Sequence, residues 1–217
     1  MSGIYFPPVC MAGFLYIGAG CSVGIMYFFH SKKESKEERL GKSDFPFALG
    51  MVGLDILAPI LLMTGVKIGN SSNASLLGNF EIVATTIIAL AVFKEKVSWR
   101  LWIAILFITA SSIILSFDGS DGLKFSLGSL FVLGATVSWG LENNCTRRIS
   151  EKSTCQIVTI KGLGSGLAFL AIAFVSGEGI FREYLSFIPP ALLLGFVAYG
   201  LSIFTYIRAQ KELGAKI

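Results

Sequence analysis

Long hydrophobic segments recur along the chain and are separated by short polar stretches. A helix of about 20 apolar residues is long enough to cross a hydrocarbon core about 30 Å thick. Inside that core the backbone must find its hydrogen-bond partners within the helix, because lipid offers none. The pattern therefore predicts an all-α, polytopic membrane helix bundle with about seven spans. In chain order these spans, named A to G, are Phe6 to Phe29, Phe45 to Val66, Ser71 to Phe93, Leu101 to Phe117, Ser126 to Thr146, Cys155 to Gly177 and Ile188 to Ile207.

One proline lies inside a predicted span, whereas the others lie close to span starts. Proline has no backbone N–H, so it is tolerated in the first turn of a helix but bends a helix interior. Pro59 in span B is therefore predicted to kink that helix near the middle of the membrane. The prolines near span starts are Pro7, Pro8, Pro46, Pro189 and Pro190.

Composition supports a membrane protein and argues against several other classes. Hydrophobic residues make up 53% of the 217 residues and charged residues only 15%, whereas charged residues run at about 25% in soluble domains. The four cysteines, Cys10, Cys21, Cys145 and Cys155, and the single His30 lack the spacing of a metal site. The sequence thus predicts no metal, no cofactor and no disulfide framework. The basic residues lie in loops between spans, so no nucleic-acid partner is expected.

Lysine and arginine alternate in number along the loops, and this alternation predicts the topology. The A–B, C–D and E–F loops and the segment after span G carry 14 of these residues, and the other three loops carry 3. Because cytoplasmic loops are enriched in basic residues, the chain is predicted to cross the cell (cytoplasmic or inner) membrane with its N-terminus outside and its C-terminus in the cytoplasm. The long A–B loop is interpreted as a solvated connector, with binding of anionic lipid as the alternative.

An internal repeat relates spans A and B to spans F and G. Leu15 to Gly20 resembles Thr159 to Gly164, and Thr64 to Asn70 resembles Ala209 to Ala215, in glycine placement and in position relative to a span. The predicted topology gives the related spans opposite orientations in the membrane. Related segments of opposite orientation are an inverted repeat, which is the architecture of many secondary transporters.

The segment Ser71 to Phe117 closely resembles the EamA-type domain of the drug/metabolite transporter superfamily. The residues that carry the resemblance are the small and polar run Ala74-Ser75-Leu76-Leu77, the mid-span Glu81, and Phe93-Lys94-Glu95-Lys96 before span D. Leu127 to Ser150 looks like the opening helix of the family's second repeat. The resemblance runs over nearly the whole chain.

The resemblance implies ten helices in two inverted five-helix repeats, of which A to G would be helices two to eight. Residues 1–120 would then form most of the first EamA-type repeat, spans A to D, and residues 121–217 the start of the second, spans E to G. The chain lacks counterparts of the first helix and the last two, so it is expected to be part of a longer protein. It also has Ile82 where the family commonly has proline after the glutamate.

Four charged residues lie inside predicted spans, namely Asp55, Glu81, Glu142 and Lys161. Each costs roughly 2.5–3.5 kcal/mol at a helix centre, so such residues usually face a protein interior or a water-filled cavity. Asp55 and Glu81 are predicted to lie near the midplane on adjacent antiparallel helices, where they could share a proton or bind a cationic group. Thr85, one turn beyond Glu81, is a further candidate ligand. The alternative for all three is a hydrogen-bonded structural role.

Glu142 and Lys161 are predicted to lie near the cytoplasmic ends of spans E and F, at depths that permit a structural ion pair. A substrate site at Lys161 is the alternative. The neighbouring Asn143 and Asn144 are expected to be solvated at the end of their span.

Two small-residue motifs occupy corresponding spans of the repeat. Gly20 and Gly24 in span A, and Gly162 and Gly166 in span F, have the Gly-x-x-x-Gly spacing that lets helix backbones approach closely. These glycines are predicted to serve helix packing.

The leading functional hypothesis is a secondary membrane transporter that moves a small metabolite or drug-like solute by alternating access, with proton coupling at Asp55 and Glu81 as a further step. The alternative is a seven-helix membrane receptor or sensor. No catalytic pair is placed as chemistry requires, so the chain is not expected to be an enzyme. The expected partners are the lipid bilayer and a small-molecule substrate, and a homodimer is left open.

Overall fold

The computed structural model describes residues 7–34, 38–69, 71–94, 98–116, 127–178 and 182–214, and all the regular structure within these ranges is helical. The all-α prediction is therefore confirmed. The α-helices are α1 (Pro8–Glu34), α2 (Phe45–Ile68), α3 (Ser71–Gly78), α4 (Phe80–Ala91), α5 (Trp99–Ser116), α6 (Leu127–Ile149), α7 (Thr154–Val175), α8 (Ile188–Leu194) and α9 (Leu201–Gly214). Short 3₁₀ turns cover Lys42–Asp44 and Arg182–Phe187, and a π-helical segment covers Gly195–Gly200.

Five of the predicted spans, A, B, D, E and F, each become one helix, and the other two are interrupted. Span C divides at Asn79 into α3 and α4, just before Glu81. Span G begins as α8, continues through the π-helical segment and ends as α9. Pro59 lies inside α2, which continues as a helix on both sides of it; the size of the predicted kink stays a prediction.

Within the described residues, five helical stretches are long and apolar enough to cross a membrane: Pro8–Phe29, Lys42–Ile68, Ala74–Ala91, Thr154–Val175 and Leu185–Glu212. This confirms a multi-pass membrane protein. Span D corresponds to α5, Trp99–Ser116, in which Trp99–Ala110 is the apolar stretch with described side chains. Span E is a full helix, α6, and is not among these stretches; its second half is polar, with Glu142, Asn143 and Asn144 followed by Arg147 and Arg148.

Contacts between helices group the chain into two compact units, which cut across the predicted repeats. One unit comprises Met1–Val52 together with Cys145–Ile217, and the other comprises Gly53–Asn144. The repeat boundary at residues 120 and 121 rests on sequence resemblance and stays a prediction.

In the first unit, α1 and α7 run antiparallel with their backbones in contact. A Cβ atom added at Gly20 would lie 2.6 Å from the Leu163 nitrogen, and one at Gly162 would lie 2.6 Å from the Gly20 Cα. A Cβ at Gly166 would lie 2.8 Å from the Ile17 nitrogen. The two Gly-x-x-x-Gly motifs therefore pack against each other and not against unrelated helices.

The same helix α1 also contacts the π-helical segment. A Cβ at Gly195 would overlap the Leu15 carbonyl oxygen, and one at Gly200 would lie 3.2 Å from the Ala19 Cα. A π-helix is wider than an α-helix and is uncommon outside functional or strained positions. Glycine at these contacts lets the widened backbone lie directly on α1.

The A–B loop is held against the start of α7. The Ser153 backbone N–H donates to the Glu38 carbonyl oxygen at 3.0 Å, and the Leu40 N–H donates to Gln156 Oε1 at 3.1 Å. The Lys152 ammonium lies 2.8 Å from the Glu38 carboxylate. This part of the loop is thus a docked element, and the loop is not a freely solvated connector throughout.

Because backbones are in close contact at Gly20 and not at Gly53, we expect alanine at these two positions to change the free energy of unfolding differently. A Cβ at Gly53 meets nothing within 4 Å, so alanine there should be neutral or stabilising by no more than about 1 kcal/mol through its better helix propensity. A Cβ at Gly20 strikes backbone that cannot move aside, and we expect a loss of roughly 1–3 kcal/mol. Unfolding of the purified protein in a denaturing-detergent titration measures both, and equal effects would contradict the α1–α7 contact.

The Glu38–Lys152 ion pair predicts a pH-dependent contribution to stability. The hydrogen bond that Lys152 donates to the Glu38 carboxylate raises the pKa of Lys152; desolvation opposes this shift, and the charges of Glu38, Asp44 and Glu151 add to it. A lysine with a raised folded-state pKa stabilises the protein fully below its unfolded-state pKa, and this stabilisation is lost as the pH rises through the folded-state pKa.

We therefore expect Lys152→Gln to lower the Tm slightly at neutral pH and to have no effect at strongly alkaline pH. The effect should be small and weakened by salt, because the pair is solvent-accessible. The exposed Lys67→Gln is the matched control. A Tm difference that stays constant over the whole pH range would show that Lys152 acts through packing alone.

Candidate functional site

The candidate site lies in the unit Gly53–Asn144, where α6 crosses α4. A Cβ atom at Gly140 would lie 2.9 Å from the Thr85 nitrogen and 3.0 Å from the Ala84 Cβ. The backbone of α6 therefore touches α4 at this level. Asn143 and Asn144, three and four positions after Gly140, lie on the same face of α6. Their side chains therefore face α4.

Glu81 and Asn143 form a hydrogen bond between these two helices. Asn143 Nδ2 donates to Glu81 Oε1 at 2.8 Å and lies 3.5 Å from the Thr85 hydroxyl. The Thr85 hydroxyl in turn donates to the Glu81 backbone carbonyl at 2.8 Å. Glu81 and Thr85, which the sequence places one turn apart, thus meet a partner from α6 that completes a small polar cluster inside the apolar helices.

Asn144 fastens the same crossing through backbone groups. Its Nδ2 donates to the Thr85 carbonyl at 2.9 Å and to the Gly140 carbonyl at 2.7 Å. The side chain is buried, with 3% of its surface exposed. Asn144 therefore fixes α6 to α4 while Asn143 holds the carboxylate.

Asp55 lies in α2, a helix that packs against α6. A Cβ at Gly65 would be 2.8 Å from the Gly128 oxygen, and one at Gly134 would be 3.5 Å from Leu61 Cδ1, so α2 and α6 are antiparallel. If α2 is straight across Pro59, continuing this register by six residues from Leu61 would set Asp55 level with Gly140, because both helices rise by the same amount per residue. Asp55 is buried. The register supports a shared depth with Glu81, and a direct approach of the two carboxylates stays a prediction.

The remaining predicted site residues are buried but fall in different units. Glu142 belongs to the unit Gly53–Asn144, and Lys161 lies in α7 of the other unit. Both side chains are at most 9% exposed. Their predicted ion pair, and a substrate site at Lys161, stay predictions. Among the described residues no group of three or more His, Cys, Asp or Glu is arranged to hold a metal ion.

Sequence reasoning missed the asparagines and the glycine that precedes them. The expectation that Asn143 and Asn144 would be solvated is wrong, because both are hydrogen-bonded to α4 and Asn144 is buried. A signal was present: Gly140, Asn143 and Asn144 have the i, i+3, i+4 spacing of one helix face. A small residue followed by amides on one face is typical of a close helix crossing in a membrane.

Apolar helices that enclose a hydrogen-bonded carboxylate define the class of polytopic helical membrane protein with an intramembrane polar site. The EamA-like transporter family matches residues 1–117, more than half of the chain, and the chain belongs to this family. It is thus an EamA-type member of the drug/metabolite transporter superfamily, as the resemblance of Ser71 to Phe117 predicted.

Similarity extends beyond the segment that the family matches. An uncharacterized transporter of Methanothermobacter thermautotrophicus is 25% identical over 230 residues, which cover 97% of this chain and 65% of that protein. The chain therefore spans less than two thirds of the length of this relative. A solved crystal structure matches with a TM-score of 0.71 at 16% identity, covering 96% of this chain and 71% of the other, which shows a shared fold.

The α4–α6 crossing predicts measurable coupling between Glu81 and Asn143. In a double-mutant cycle of Glu81→Ala and Asn143→Ala, we expect a coupling energy of about 0.6 kcal/mol, and at most about 1.7, as for other hydrogen bonds between membrane helices. Unfolding in mixed detergent gives the four free energies. Thr64 donates only within its own helix, to Ile60, so Glu81→Ala and Thr64→Ala should be additive. Additivity of the Glu81 and Asn143 variants would contradict the site geometry.

Proposed function

We propose that this chain forms the greater part of a secondary carrier that moves a small metabolite or drug-like solute by alternating access, and that Glu81 couples transport to protons. The observation that carries the proposal is the Glu81–Asn143 hydrogen bond within the membrane-spanning stretch Ala74–Ala91. The family supports a transporter and not an enzyme. The receptor or sensor alternative has no comparable support.

The chemistry of this bond favours a site that gains and loses a charge. Asn143 is a neutral donor, so it orients the carboxylate without neutralising it. In the described part of the chain no lysine or arginine forms an ion pair with Glu81. A carboxylate at this depth is costly to charge, and a proton or a cationic solute would remove that cost. Binding of either one would therefore change the free energy of the helices around Glu81.

Asn143 has a defined part in the proposal. It holds Oε1 of Glu81 at 2.8 Å, so the second oxygen of the carboxylate is the one presented to a proton or a solute. We propose that Asn143 is a positioning residue and that Glu81 is the group that binds. Asp55, which is buried on α2, is proposed as a second acidic group of the pathway.

The orientation of the carrier is part of the proposal. The loop charges support a location in the cell membrane, with the N-terminal end of α1 outside and the loop before α7 in the cytoplasm. The lipid bilayer and the transported solute are the proposed partners, and a homodimer remains open.

The test uses the full-length protein reconstituted into proteoliposomes that contain a pH-sensitive dye. A panel of amines, amino acids, organic acids, sugars and nucleosides is applied, and solute-driven proton movement is recorded. We expect Glu81→Gln to abolish the proton signal, and Asp55→Asn to reduce it strongly. The matched control is Glu212→Gln, since Glu212 is exposed and pairs only with Arg208 one turn away. A Glu81→Gln carrier with unchanged proton movement would remove Glu81 from the coupling.

A charge exchange across the α4–α6 bond tests the role of Asn143. Asn143→Asp places two carboxylates together and should impair proton-linked transport. Adding Glu81→Gln restores one carboxylate and one amide with their positions exchanged, and we expect the double variant to regain part of the activity that either single variant lacks. No recovery would show that the carboxylate must be on α4.

A further inference from the structure

Helices α1 and α7 are fastened to each other in the middle and near both ends. α1 is span A of the first predicted repeat, and α7 is span F of the second. We propose that these two helices form a clasp that remains closed throughout transport, so that the carrier moves other helices and never separates span A from span F. This goes beyond the proposed function, which does not say which helices move.

The middle of the clasp is the contact between the glycines of α1 and those of α7, and it extends over several helical turns. Close approaches run from Gly13, where a Cβ would lie 2.7 Å from Leu170 Cδ2, to Gly24, where a Cβ would lie 3.3 Å from Thr159 Cγ2. Eleven residues of α-helix extend about 16 Å, roughly half of a hydrocarbon core. Between Gly13 and Gly20 the contacts include backbone atoms of α7, which cannot move aside as a flexible side chain can, so the two helices resist sliding and rolling there. At Gly24 the contact is with the Thr159 side chain.

One end of the clasp is a helix cap made by the other helix. Glu178 follows α7, and its Oε2 accepts hydrogen bonds from the backbone N–H groups of Val9 and Cys10, each at 3.2 Å. These are first-turn donors of α1, which have no partner within their own helix. A carboxylate at a helix N-terminus is also favoured by the helix dipole. Separation of the helices would break both of these hydrogen bonds.

The other end of the clasp is a bridge through Gln156. Its Nε2 donates to the Tyr27 hydroxyl of α1 at 3.4 Å, while its Oε1 accepts from the Leu40 N–H at 3.1 Å. One side chain of α7 thereby holds both α1 and the loop that follows it. Separation of α1 from α7 would break this bridge together with the Glu178 cap.

An engineered disulfide between the two helices tests the proposal directly. A Cβ at Gly24 would lie 4.0 Å from the Thr159 Cβ, and disulfides join Cβ atoms about 3.5–4.5 Å apart. The double variant Gly24→Cys and Thr159→Cys is made in the full-length protein after replacement of the native cysteines by alanine. Each single cysteine variant in the same background is the matched control, because it cannot form the bond.

A closed clasp predicts that oxidation with copper phenanthroline crosslinks the double variant rapidly and completely, with the pH gradient imposed in either direction. Slow or partial crosslinking, or a yield that depends on the gradient, would overturn the proposal. This readout needs no transported solute, so failure of the clasp can be told apart from failure of the proposed transport activity.

Transport by the crosslinked protein gives the second readout. We expect proton-linked movement of the solute found in the panel to be the same before and after oxidation. A loss of transport on oxidation that is restored by a reductant, and that neither single variant shows, would mean that α1 and α7 separate during the cycle.

Discussion

Helices in a bilayer gain little by burying apolar side chains against each other, because lipid is equally apolar. Their association depends on close packing and on hydrogen bonds between helices. In this protein the close packing is backbone on backbone at glycine. Gly20 and Gly162 join α1 to α7, Gly65 and Gly128 join α2 to α6, and Gly140 joins α6 to α4. The positions of the polar side chains follow from these contacts.

The candidate site illustrates this dependence. Asn143 reaches Glu81 because Gly140, one turn earlier, lets α6 lie against the backbone of α4. A larger side chain at Gly140 would strike the α4 backbone and force the two helices to shift at this contact. The same contact buries Asn144 and pairs it with backbone carbonyls, so the crossing is fixed independently of the carboxylate. Glu81, which is proposed to gain and lose a proton, thus lies at a helix crossing that uncharged groups hold in place.

The α1–α7 contact and the α4–α6 site lie in different packing units, and their polar groups differ in kind. Near their ends, α1 and α7 are joined by the Glu178 carboxylate, which caps α1, and by the Gln156 amide, which bonds to Tyr27. The site uses a carboxylate and two amides within the spans. Such a division suits a carrier in which some helices form a fixed frame and others respond to a bound proton or solute.

Much of the architecture was determined by the sequence alone, because lipid forces the backbone into helices long enough to cross it. Blocks of apolar residues therefore predicted the membrane helices, and the motifs around Glu81 predicted the family. Only the tertiary structure decided which faces meet. Glycine spacing shows that a helix can pack closely but not against which partner, so the meeting of Gly20 with Gly162 and the recruitment of Asn143 were not readable along the chain. The partner of an intramembrane polar group depends on helix rotation and register, and contacts between residues far apart in sequence set both.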